Sequence, residues 1–213
     1  MLVLASASPR RRELLTQGGF SFEVVPSSVP EERAEGEAAI AFCARLAREK
    51  AEAVFAELAT EEHRARVDLI DLFDLPGDPL LVLGADTIVV TGPESGNEVL
   101  GKPVDVADAA RILGLLAGRT HQVMTGVAVA SRAAVETAVE VTYVTMLTPS
   151  DAEIAAYVAT GEPMDKAGAY AIQGYAGRWI PRVQGCYFNV VGLPLALAAS
   201  MIEGMRRRMA SRK

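Results

Sequence analysis

Cysteine and histidine are nearly absent from this chain of 213 residues, which has two of each. Cys43 and Cys186 alone can build neither a disulfide framework nor a thiolate metal site. Their apolar neighbours read as surroundings for buried, reduced thiols. His63 and His121 show no metal-ligand spacing between them, and nothing resembles a Ser/His/Asp or Cys/His nucleophilic arrangement or a Walker-type loop. Long apolar runs are missing too: none approaches the roughly 20 residues needed to span a bilayer. MLVLASASPRRRELL is not a signal peptide, because its positive charges follow the short apolar run instead of preceding it. These features point to the cytoplasm and to no membrane association. A net charge of −6 and a pI of about 5.1 argue against a dedicated nucleic-acid binder, which needs a basic face. An acidic chain still binds a polyphosphate when its few cations converge on one cleft.

What is present is ordinary for a globular protein: 50% hydrophobic and 23% charged residues, enough for one large α/β domain or two small lobes sharing a sheet. Met1 to Ala5 suits a buried strand. Ser8-Pro9 opens a helix with a favoured cap and a Pro at the first position, running to about Gln17 and stopping at Gly18-Gly19. Ser21 to Val25 reads as strand. From about Glu37 to Leu58 the residues Ile40, Ala44, Ala47, Ala51, Phe55 and Leu58 recur at three and four and define one apolar stripe. Residues 60–79 are acidic and weakly patterned, a peripheral insertion read as partly helical. Leu80 to Thr91 and Glu98 to Gly101 flank GPESGN as a strand pair. Asp105 to Leu116 is an amphipathic helix stopped by Gly118. Strands follow at His121 to Ser131 and Val135 to Met146, then a capping-box start at Thr148-Pro149-Ser150-Asp151 for a helix ending near Gly161. Glu162 to Gly177 reads as loop with a short helical piece. Trp179 to Gln184 and Cys186 to Val191 are strand-like, and Leu193 to Arg208 is a helix. Strands and helices mix throughout with no clean linker and no repeat, which gives an α/β fold.

One acid interrupts the apolar run LLVLGADTIVV. A carboxylate at Asp86 costs several kcal/mol, on the order of the penalty for an unpaired buried charge, unless cations or a metal compensate. Gly84 permits close approach, and Thr87 adds a hydroxyl. A turn-capping Asp is the plainer alternative. The cations tip the balance. Arg10, Arg11 and Arg12 sit in the first turn of the first helix, where the dipole disfavours positive charge by roughly 0.3–1 kcal/mol each. An anion held by backbone amides and guanidinium forks explains them; splaying into solvent is the alternative, and Arg12 fits it best. Of 21 basic residues only four are lysines. Lys213 ends the chain, while Lys50, Lys102 and Lys166 stand in ordered settings, either as point charges for phosphate or as stems snorkelling at helix rims. Gln173-Gly174 can read a base edge or serve loop backbone.

Seven segments, in order from Leu4 to Leu195, resemble the Maf family of nucleoside triphosphate pyrophosphatases: LASASPRRRELL, LAREKA, GADTIVV, EVLGKP, LAGRTHQVMTGVAV, EPMDKAGAYAIQG and VQGCYFNVVGLPL. The resemblance implies a single domain over residues 1–213, an elongated mixed sheet flanked by helices in two lobes with a cleft between them. It implies hydrolysis of a nucleotide to the monophosphate and pyrophosphate with a divalent metal, Mg²⁺ or Mn²⁺, and a common homodimer. DKAGAY with IQG looks like the dTTP/UTP branch, which makes a pyrimidine nucleoside triphosphate the expected substrate. By position, Asp86 matches the proton acceptor; Arg10, Thr87 and Gln173 match positions tied to base choice; Arg11, Lys50, Lys102 and Glu31 match polar positions lining the cleft. Glu31 and Asp86 are the expected carboxylate ligands, hard oxygen donors suited to these cations. The chain departs from the family in its insertion over 60–79. Two other readings stay open, a 7-methyl-GTP pyrophosphatase of the sister branch and a non-enzymatic regulator of septum formation. The latter rests on the basic run Arg206-Arg207-Arg208 with Arg212-Lys213.

Overall fold

The computed structural model describes residues 1–60 and 79–211. The partly helical reading of the insertion, His63 and the last two basic residues, Arg212 and Lys213, therefore lie outside the described residues. Seven strands form one mixed sheet in the order β2-β1-β3-β5-β6-β7, with β4 on β3. They are β1 (Leu2–Leu4), β2 (Glu23–Val24), β3 (Leu81–Val90), β4 (Val99–Leu100), β5 (Thr120–Ala130), β6 (Val135–Thr145) and β7 (Arg182–Gln184). β1 runs parallel to β2 and to β3. β4 returns antiparallel to β3 after a 3-10 turn at Pro93–Ser95, and β7 is antiparallel to β6. The helices are α1 (Pro9–Gln17), α2 (Ala39–Leu58), α3 (Val106–Leu116), α4 (Asp151–Val158), α5 (Tyr187–Val191) and α6 (Leu195–Ala210). The α/β class is what the alternation of patterns predicts, and a mixed sheet flanked by helices is what the resemblance implies.

The chain divides into two compact units. The first takes in the described residues of Met1–Asp86 together with Gly126–Val139 and the segment from Gly192 onward. Its core joins Val3 and Val82 of the strands, with Ala5 just past β1, to Ala47, Ala51, Val54 and Leu58 of α2. α2 lies directly on the strand backbone. A methyl group at Gly84 would collide with the main chain of Ala47 and Ala51, and one at Gly126 with the carbonyl of Cys43. Both glycines are there for close approach. The second unit holds Thr87–Thr125 and Glu140–Val191. Its core gathers Val89 and Val144 with Ile112, Leu113 and Leu116 of α3, Tyr157 of α4, and Tyr170 and Trp179 of the loops.

Local signals explain most boundaries. Asp105 caps α3 by accepting from the Asp108 amide, and Ser150 with Glu153 makes a reciprocal capping box on α4. Five expectations change. On α2 the buried residues are Phe42, Cys43, Leu46, Ala47, Lys50, Ala51, Val54 and Leu58, while Ile40 is 51% exposed. The apolar stripe is thus turned by about one residue position from the expected one, because the glycine groove selects the small Ala47 and Ala51 for the line of contact. Tyr187–Val191 is a helical turn and not a strand. Positive-φ Gly185 and Gly192 isolate the segment, and of its buried residues, Asn189 and Val191, the first is a polar side chain that must find hydrogen bonds inside. Trp179 ends a 3-10 turn (Tyr175–Trp179), which leaves only Arg182–Gln184 as strand. Cys186 is half-buried instead of buried, and Ser8 precedes α1 with no side-chain capping bond.

Candidate active site

Apolar neighbours on both sides bury Asp86. Leu81, Val82, Leu83 and Ala85 precede it, Ile88, Val89 and Val90 follow, and Asp86 itself is 5% exposed. Its compensation comes from α2. Lys50 Nζ donates to Asp86 Oδ1 at 2.7 Å and to Glu31 Oε1 at 2.6 Å. Lys50 sits on the buried face of α2, three and seven residues beyond Ala47 and Cys43, so helical geometry aims it at β3. Glu31 lies in the chain before α2 and its side chain is 48% exposed, against 8% for Lys50 and 7% for Asp86. One ammonium therefore ties an interior acid to a solvent-facing one.

The second cation is Arg11. It is buried on α1, its Nε donates to the Gly192 carbonyl at 2.9 Å, and its Nη1 donates to Ser6 Oγ at 3.0 Å. Burial lowers its pKa, and the charges of Asp86 and Glu31 oppose that shift. A guanidinium stays charged at any physiological pH. Two carboxylates and two cations thus share one electrostatic neighbourhood. Arg10 is half-buried beside it and repels Arg11, and Arg12 is exposed, as its alternative reading anticipated. The first turn of α1 contains no acidic residue, so nothing on that turn offsets its positive end. This arrangement suits an anion of high charge density.

Cys43 is the residue that sequence reasoning undervalued. Its thiol donates to the Asp86 main-chain carbonyl at 3.2 Å and accepts from the Gly126 amide at 2.9 Å. Burial first, then the Asp86 charge, pushes the thiol up to about 12, so it remains S–H and keeps its donor. Cys43 and Lys50 are seven residues apart, two turns of one helix face. That spacing was visible in the sequence; its link to Asp86 was not. From α2, one side chain grips the Asp86 backbone and another its carboxylate.

The other expected residues belong to the second unit. Thr87 Oγ1 lies 2.9 Å from Thr125 Oγ1, and Thr125 donates to the Asn189 carbonyl at 3.3 Å. Asn189 Nδ2 donates to the Val123 carbonyl and to Thr142 Oγ1, both at 2.9 Å. Thr125 and Asn189 are supporting residues that the sequence did not announce. Gln173 is exposed in the loop after Ala171, and Lys102 is exposed between β4 and α3. Lys166 donates to the Glu162 carbonyl at 2.6 Å and to Asp165 at 2.5 Å, which accounts for that lysine within its own loop.

A mixed-sheet α/β protein whose buried acid is bracketed by a lysine and an arginine defines a class suited to polyphosphate ligands. A family profile described as Maf-like protein matches residues 1–205. The chain belongs to the Maf-like protein family. It is 47% identical over 202 residues to a Koribacter versatilis protein named dTTP/UTP pyrophosphatase, covering 95% of this chain and 93% of that one. A Salmonella typhimurium protein of the same name is 50% identical over 194 residues, 91% of this chain and 87% of its own. A third, from Geobacter sulfurreducens, is 48% identical over 208 residues, 97% and 95% of the two chains.

Proposed function

We propose that this chain hydrolyses dTTP and UTP to the nucleoside monophosphate and pyrophosphate. The observation that carries the reading is Lys50 joining Asp86 and Glu31 beside the buried Arg11; the names of relatives about half identical over nearly the whole chain supply the substrate. In the reaction a water oxygen bonds to the α-phosphorus. The bond from that phosphorus to the bridging oxygen breaks, and pyrophosphate leaves with the electron pair. Asp86 takes the water proton, and Lys50 and Cys43 hold its carboxylate and backbone in place. Arg11, Lys50, Arg10 and Lys102 counter the charge of the triphosphate and of the departing pyrophosphate, the main electrostatic task in such transfers.

A divalent ion fits the donor set. Asp86 and Glu31 offer hard carboxylate oxygens that converge on one ammonium, and no cluster of three or more possible ligands occurs among the described residues. Two carboxylates completed by phosphate oxygens and waters is the pattern preferred by Mg²⁺. Bound there, Mg²⁺ or Mn²⁺ would lower the pKa of a coordinated water and screen phosphate charge. Base selection falls to Thr87, Gln173 and Arg10, since a site built to hydrogen-bond one base edge rejects others. The proposal places a homodimeric enzyme in the cytoplasm, with no nucleic acid as partner; no helix among the described residues is long and apolar enough to cross a membrane. The test is pyrophosphate release from dTTP, UTP, dCTP and 7-methyl-GTP, with Mg²⁺, Mn²⁺ or chelator. dTTP and UTP should react fastest and chelator should stop turnover. Preference for 7-methyl-GTP, or no pyrophosphate from any of the four, would overturn the reading.

A further inference from the structure

The loop that carries Gln173 is held by groups that the chemistry above leaves unused. Tyr157 of α4 is 1% exposed, and its hydroxyl donates to Glu162 Oε1 at 2.8 Å while accepting from the Ala171 amide at 3.2 Å. Burial, and secondarily the Glu162 contact, raise the phenol pKa, so the hydroxyl keeps its proton. The Tyr157 ring stacks on Tyr175, with centroids 5.7 Å apart and planes 18° apart, and meets Trp179 edge-on at 5.3 Å. One side chain therefore grips the loop on both flanks of Gln173, by an amide two residues before it and a ring two residues after it. The Glu162 carboxylate is pressed against Gly174, so that a methyl group there would collide with it. Gly174 has φ −101° and ψ −154°, a conformation open to alanine, so the carboxylate and not the backbone excludes a side chain at that position. The Gly174 amide closes the turn onto the Ala171 carbonyl at 3.1 Å.

We propose that Tyr157 and Glu162 are positioning residues for base selection, a carboxylate–phenol–amide relay that fixes residues 171–175 and so sets where the Gln173 amide stands. The inference rests on the reading of Gln173 as a base-selecting residue. An exposed glutamine on a mobile loop discriminates poorly, because ordering it on binding costs each substrate alike; the same group on a fixed backbone penalises a mismatched edge. The relay contains none of the residues assigned to the phosphate chemistry, so its loss should act on substrate choice more than on turnover.

The experiment measures kcat and KM for dTTP and dCTP, whose bases differ in hydrogen-bonding edge. The full chain is compared with Tyr157→Phe, Glu162→Gln, Gly174→Ala, Gln173→Glu and the double variant Glu162→Ala/Gly174→Ala. Tyr157→Phe, Glu162→Gln and Gly174→Ala should each reduce the dTTP over dCTP ratio of kcat/KM by about fivefold or more. The change should enter through KM, with kcat for dTTP within about twofold. Removing the carboxylate in the double variant should restore part of what Gly174→Ala alone loses. The sole tryptophan, Trp179, reports on the same cluster, and its emission should change in Tyr157→Phe. If Gln173→Glu alters the ratio while Tyr157→Phe and Gly174→Ala leave it as in the parent, the relay is refuted and Gln173 keeps its role. If Gln173→Glu leaves the ratio unchanged, both fall. Should Tyr157→Phe fail to fold, Glu162→Gln and Gly174→Ala decide, and a ratio unchanged in both refutes the relay.

Discussion

Replacing Lys50 by methionine isolates the physical link on which the site depends. The change keeps an unbranched side chain, one atom shorter, and removes its charge, leaving the Asp86 carboxylate in an apolar strand. At the observed 2.7 Å and an effective dielectric of about 20, the lost attraction is about 6 kcal/mol. Desolvation of the ammonium offsets part of this, and Arg11 continues to counter Asp86. The expected net destabilisation is therefore about 3 kcal/mol, the low end for breaking a buried pair. Urea unfolding followed by circular dichroism should show a lower midpoint with an unchanged slope. Adding Asp86→Asn removes the stranded charge, so the double variant should recover to within about 1.5 kcal/mol of the parent. A loss below about 1 kcal/mol in Lys50→Met, or a double variant no more stable than the single, would refute the view that this lysine neutralises a buried acid.

Cys43→Val replaces the thiol by a slightly larger apolar group and removes the bonds to the Asp86 carbonyl and the Gly126 amide, at a cost of about 2–3 kcal/mol. Cys43→Ser retains both hydrogen bonds and should lose clearly less; equal losses in urea midpoints would contradict the bridging role. His121 is buried against the Tyr170 hydroxyl at 2.8 Å, and burial lowers its pKa to about 4 from an ordinary value of 6.5. As pH falls below about 6.5 the unfolded chain takes up this proton before the folded one does. Stability should then decline down to about pH 4, by on the order of 3 kcal/mol from this group. His121→Gln should show a shallower decline across the same window; parallel pH profiles would contradict it.

Strands and helices were largely legible because each carries a strong period or a local terminus signal, as with Asp105, Ser150 and the turn at Pro93–Ser95. The failures have physical causes. Tyr187–Val191 contains β-branched and aromatic residues typical of strands, yet two glycines cut it to a length where one helical turn, anchored by Asn189, is the better solution. The stripe on α2 was misplaced because side-chain hydrophobicity alone does not reveal that the helix rests on Gly84 and Gly126. That contact puts alanines, a cysteine and a lysine on the buried face and leaves Ile40 outside. Asp86, Lys50, Glu31 and Arg11 could be nominated from charge placement and resemblance. That the single ammonium of Lys50 ties Asp86 to Glu31 is a tertiary fact, because these acids lie 36 and 19 residues from the lysine in the chain. Cys43, Thr125, Asn189 and Tyr157 were silent because a supporting hydrogen bond leaves no mark on composition or period.

The most direct test of the central claim is turnover by Asp86→Asn, read as pyrophosphate released from saturating dTTP with Mg²⁺ present. Binding of a non-hydrolysable dTTP analogue is measured by calorimetry on the same preparation. If Asp86 accepts the water proton, turnover falls by about 100- to 10,000-fold while the analogue binds within about threefold of the parent. A variant that turns over dTTP within tenfold of the parent would contradict the assignment of Asp86 as the base.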